Sequence, residues 1–225
     1  MSEITKELIK SSDEKYRAFQ SSLVPNVSNV LGVRAPICKS IAKRYAKAKE
    51  GASFMDTLPH QYYDEYIVHG YMLGFLESED ILPRLKELLP YMDNWAVVDS
   101  SVSNLKSFFK DKGKAHDFIL SLLLSNEEFV LRFAIVSLLV YYLDSEWASG
   151  SINLVKQIKS DKFYVKMAQA WFFATALTKQ YELAIGTIEG KELEPWVHNK
   201  SIQKAKESLC VPKSTKEYLN TLKIK

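Results

Sequence analysis

Residues 125–139, SNEEFVLRFAIVSLL, and residues 160–174, SDKFYVKMAQAWFFA, are two versions of one pattern. With Ser125 set over Ser160 they run in step, and after a one-residue gap Arg132 falls over Lys166 and Ala134 over Ala168, a period of 34 to 35 residues. Each opens on polar residues, continues with an aromatic and an early basic residue, and then becomes a long apolar face. A shorter apolar segment follows each.

A unit of this kind cannot bury its apolar face alone, so it must stack on a neighbour. That is the signature of a helical-hairpin solenoid. The TPR consensus is absent, which leaves HEAT-like stacking: an all-α, curved α-α superhelix with a concave face built from the inner helix of each pair. Outward from the repeat, apolar residues keep helical spacing nearly everywhere, and no segment shows sustained strand alternation. The periodicity predicts helices over 3–21, 36–49, 60–76, 80–89, 94–109, 114–124, 126–143, 151–159, 162–178, 180–188, 196–209 and 214–222. Pro36 stands in the first turn of one of them, and Ser125 with Glu128 and Ser214 with Glu217 have capping-box spacing. Gly51, Gly113, Gly150 and Gly190 read as punctuation between helices. Linkers are short, so a single HEAT-like repeat domain over 1–225 is the expectation.

Composition narrows the class. The chain has 225 residues, 47% hydrophobic and 25% charged, enough for a substantial core and incompatible with disorder. Its N-terminus, MSEITKELIKSSDEKY, has no apolar signal region, and the run FAIVSLLVYYL is too short to cross a bilayer. A soluble, cytoplasmic protein with no membrane partner is expected. Cys38 and Cys210 match no disulfide or zinc spacing, the four histidines show no ligand spacing, and GxSxG, P-loop, GxGxxG and HExxH motifs are absent. No metal and no cofactor are expected. Net charge is +3, yet residues 151–225 carry 13 Lys and no Arg against seven acidic residues. One basic face for a polyanion would account for this, as would a lysine-rich solvated surface.

Five segments carry a likeness to a known family. GVRAP with ICKSIAKRYAK, then NWAVVDS, VLRFAIVSLLVYYLD and YVKMAQAWFFA, in this order over most of the chain, resemble the AlkD-like DNA alkylation repair proteins. GVR.P and Trp-x-x-x-Asp are the most specific pieces. The resemblance implies a HEAT-like stack whose concave, basic face holds duplex DNA and, in active members, an N-glycosylase that releases cationic N3- or N7-alkylated purines. By position, Trp95 and Asp99 match the active-site aromatic and carboxylate, Arg132 the basic residue of the next repeat, and Trp171 the second aromatic. Their spacings, 37 and 39 residues, suit successive repeats. Departures are also visible: active members commonly show Trp-Trp-Asp-x-x-Asp, where this chain has Asn94 and Ala96 beside Trp95. Ala174 stands where a basic residue is usual.

The residue types fit that chemistry. Loss of a cationic purine leaves an oxocarbenium-like sugar, which a nearby carboxylate stabilises. Asp99 can also position the attacking water, and tryptophan faces attract positive charge. At spacing i, i+4, Trp95 and Asp99 share a helix face. The leaving base is already charged, so it needs no general acid. The DNA contacts expected are Arg132, Lys166, Lys200 and Lys204, the last two lying on one helical face beside Asn199 and Gln203. Plainer readings stand beside these: Asp99 as a helix cap, both tryptophans as core, the lysines as a solvated face, and Glu65 as either part of a core helix or a second acid. A monomeric N-glycosylase on alkylated duplex DNA is the first expectation. A catalytically weak or inactive DNA-binding relative is the second, and a protein-interaction scaffold the third.

Overall fold

A computed structural model describes residues 1–225. The chain forms fourteen α-helices and no strand, as the helical spacing requires. It divides into two compact units, Met1–Asp117 and Phe118–Lys225.

The first unit holds α1 (Glu3–Lys10), α2 (Glu14–Leu23), α3 (Ala35–Tyr45), α4 (Lys49–Asp56), α5 (Tyr63–Leu73), α6 (Ser78–Leu88) and α7 (Trp95–Asn104). Its core is a row in which α5 packs against α3 on one side and α7 on the other. A helix flanked on both sides must be apolar nearly all round, and in α5 every residue but Tyr66 is buried. Of the aromatics in YYDEYIVHGYML, Tyr63 and Tyr71 are buried, while Tyr62 and Tyr66 stay partly exposed. Close approach of α5 to α7 depends on Gly70, where a Cβ would stand 2.0 Å from the Ser101 hydroxyl oxygen.

α8 (Lys112–Leu122) spans the division. The second unit continues with α9 (Glu128–Tyr141), α10 (Ala148–Gln157), α11 (Phe163–Lys179), α12 (Tyr181–Glu189), α13 (Pro195–Glu207) and α14 (Lys213–Thr221). Here α11 packs between α9 and α13, while α10 and α12 cover its other side and contact each other. The repeated segments are thus inner helices α9 and α11. In α9 every residue from Leu131 to Leu139 is buried.

Two helices differ from the sequence expectation. The segment 3–21 is two helices, because the Asp13 carboxylate accepts the Tyr16 N–H at 3.0 Å and starts a new one. Residues after 49 form α4, since burial of Phe54 and Met55 outweighs the low helix propensity of Gly51. Of the four glycines read as punctuation, Gly190 is the C-cap of α12, and Gly51, Gly113 and Gly150 lie in the first turns of α4, α8 and α10. Neither capping box forms. Ser125 instead accepts from the Glu127 N–H at 3.0 Å, and the N-cap position of α14 is Pro212.

Candidate active site

Asn94, Trp95 and Asp99 are placed by the start of α7. The Asn94 side chain caps this helix, its Oδ1 accepting the Val97 N–H at 3.0 Å and its Nδ2 donating to Asp93 at 2.8 Å. Asp99 is therefore not a cap; it lies in the middle of α7, one turn beyond Trp95 and partly exposed. Trp95 is partly exposed as well, so it is not a core aromatic. Its indole N–H donates to the Leu23 carbonyl oxygen at 3.0 Å, which ties the ring to the end of α2.

Beside Trp95 opens a pocket of about 190 Å³. Tyr16, Tyr63 and Tyr71 supply aromatic walls, Gln20 a buried Oε1 with no hydrogen-bond partner, and Ala96 and Ser100 the α7 side. Burial pushes the Tyr63 and Tyr71 phenols above their ordinary range, so both stay neutral.

The GVRAP motif builds the opposite wall. Gly32 has φ +80°, and a Cβ there would come within 2.6 Å of the Arg17 backbone, so this position requires glycine. The loop is held by the buried Asp64 carboxylate, which accepts the Leu31 N–H at 2.7 Å and the Val33 N–H at 2.8 Å. Burial raises the Asp64 pKa, and these N–H groups oppose the rise. Arg34 pairs with Asp13 at 3.0 Å, its guanidinium carbon 4.8 Å from the centroid of the Tyr16 ring. Pro36 opens α3 as expected. Glu65 is not an exposed second acid: it is buried and accepts from Thr5, Gln61 and Tyr62, capping α5.

The remaining candidates belong to the second unit. Trp171 is 36% exposed on α11, so it too is outside the core, while Ala174 one turn later is buried. Arg132 is buried on α9 and donates to the Tyr164 carbonyl oxygen at 3.1 Å. Glu128 of the same helix accepts the Tyr164 N–H at 2.7 Å. Lys166, its counterpart in the repeat, pairs with Glu194 at 3.1 Å. Burial works to raise the Glu194 carboxyl, but the Trp196 N–H, Lys166 and the Val197 N–H outweigh it and hold the pKa below the usual range. The basic residue of each repeat thus ties its helix to the start of the next inner helix. Lys200 and Lys204 are both partly exposed on α13.

No set of three or more His, Cys, Asp or Glu side chains is placed to hold a metal ion, and no helix is long and apolar enough to cross a membrane. No curated protein matches the chain significantly. The sequence profile of the DNA alkylation repair enzyme family matches residues 4–200, a span that includes α7, α9, α11 and the GVRAP loop. The chain belongs to the DNA alkylation repair enzyme family.

Proposed function

We propose that the protein is an N-glycosylase that releases cationic N3- or N7-alkylated purines from duplex DNA, acting as a monomer without metal or cofactor. The observation that carries this reading is the presentation of Trp95 and Asp99, one turn apart on α7 and both partly exposed, in a chain of the DNA alkylation repair enzyme family. Asp99 supplies the carboxylate that stabilises positive charge developing at C1′, and it holds the attacking water. Trp95, fixed by the Leu23 carbonyl, offers a ring to the cationic base or sugar. Family position gives Trp171 the second aromatic role, which its exposure suits. Arg132, Lys166, Lys200 and Lys204 are assigned to the DNA backbone; Arg132 is buried and bonded to Tyr164, Lys166 is paired with the Glu194 carboxylate, and Lys200 donates to the neutral Gln203 at 3.0 Å.

The proposed site assigns no acid to protonate a leaving base, so only bases that already carry positive charge should leave. The test is to incubate the protein with duplexes containing either 7-methylguanine or uncharged hypoxanthine and to separate the released bases. Release of 7-methylguanine alone supports the reading, whereas equal release of both contradicts it. A second reading, a relative that binds DNA without turnover, is favoured by the buried Ala174 and by the engagement of Arg132 and Lys166. Duplex binding with no release of either base would select it.

A further inference from the structure

The second unit carries another site of quite different character. Where α13 meets the segment after α14, a pocket of about 340 Å³ is lined by Trp196, Asn199, Lys200, Gln203, Lys223 and Lys225, with no Asp or Glu among the lining residues. We propose that this pocket binds single-stranded nucleic acid, with one unstacked base against Trp196 and neighbouring phosphates on Lys200, Lys223 and Lys225.

The pocket is held in shape by a paired contact. The Asn199 side chain donates to the Ile224 carbonyl oxygen at 2.9 Å and accepts the Ile224 N–H at 3.0 Å. Buried His198 adds a bond of 2.9 Å from Nε2 to the Leu222 carbonyl oxygen. Three contacts over residues 222–224 fix that segment to α13 and set Lys223 and Lys225 at the pocket. On the other side Lys166 stands 5.0 Å and Lys200 5.9 Å from the centroid of the Trp196 ring. Phe163, 57% exposed, meets the same ring edge-on at 6.0 Å.

The nearby acids are already occupied. Glu194 pairs with Lys166 and caps α13, and Glu207 accepts from Gln203 at 2.9 Å. Positive charge around an aromatic in a concave site is the chemistry of a single strand, whose unpaired base offers a face for stacking and whose phosphates follow the lysines. A duplex hides those faces and would leave the ring without a role. The site does not depend on the reading of Trp95 and Asp99. Gln203, Lys223 and Lys225 lie beyond residue 200, where the family match ends.

The test measures anisotropy of fluorescein-labelled oligo(dT) of twelve nucleotides, and of a duplex of equal length, with the full chain at several salt concentrations. The expected result is single-strand binding that weakens with salt. Trp196→Ala should lower this affinity about 5- to 150-fold, and Trp196→Phe should keep most of it. Lys223→Ala with Lys225→Ala should reduce the salt slope by about 1.4. Thermal melts check that each variant is folded. Base release from methylated duplex is read in parallel and should match wild type in the double-lysine variant, so failure of the glycosylase reading leaves the strand-binding result intact. Wild-type affinity in both the Trp196→Ala and the double-lysine variant would overturn the proposal. So would a poly-glutamate peptide that displaces oligo(dT) at equal charge concentration regardless of Trp196, which would make the pocket a site for acidic peptides.

Discussion

Asn94 decides how Trp95 and Asp99 are presented, because its side chain is the bond that starts α7. Asn94→Ala should destabilise the protein by about 1 kcal/mol, the usual cost of losing a cap, while Asn94→Asp keeps the cap acceptor but loses the bond to Asp93 and sets two carboxylates side by side, so it should not restore wild-type stability. Urea unfolding midpoints measure both. At Gly32 the demand comes from the backbone: at φ +80°, with the Arg17 main chain 2.6 Å from any Cβ, Gly32→Ala should cost about 1–3 kcal/mol. Both residues show how much of the site was legible. The order of motifs led to Trp95 and Asp99, but Asn94 looked like a missing family residue, and its capping role is visible only once α7 starts at Trp95. A carboxylate followed by two serines read equally well as a cap, and only the helix boundary separates the two readings.

Between elements, the structure turns on contacts that join one helix to the start of another. Glu128 of α9 meets the Tyr164 N–H in the first turn of α11, where a negative charge also favours the helix dipole. Glu128→Ala should cost about 1 kcal/mol, and Glu128→Gln should recover part of this because an acceptor remains. Guanidinium denaturation distinguishes the three proteins. Near α4 and α5, His60 Nε2 and His69 Nδ1 lie 2.9 Å apart, with His60 stacked on Phe54 at 4.5 Å. Burial lowers the His60 pKa to about 4 and takes His69 well below its ordinary value. The unfolded chain therefore takes up protons at a higher pH than the folded one. Stability from this pair is whole above about pH 6.5 and declines as pH falls from 6.5 toward 4. The melting temperature should fall over that window, and His60→Gln should flatten the fall. The repeat pattern matched α9 with α11 at the level of sequence. It could not say that Arg132 and Lys166 tie neighbouring helices together, since periodicity shows which residues share a face and not what they touch.

For the molecule as a whole, all-α architecture followed from helical spacing that never gave way to alternation, and the helices missed were short ones whose ends depend on tertiary burial. The proposed duplex contacts draw on the excess of lysine in residues 151–225, so affinity for duplex DNA should fall as salt rises, because each phosphate contact releases counterions. Binding titrations from 50 to 200 mM salt read the slope. In the proposed reaction the chain, through Asp99, cleaves the bond between an alkylated purine and deoxyribose. Its most direct test is the single-turnover rate of 7-methylguanine and 3-methyladenine release from methylated duplex DNA, compared between wild type and Asp99→Asn at matched folding. Release by wild type well above the spontaneous rate, falling about 100-fold or more in Asp99→Asn, is the expected result. Release at the spontaneous rate by both proteins would contradict it.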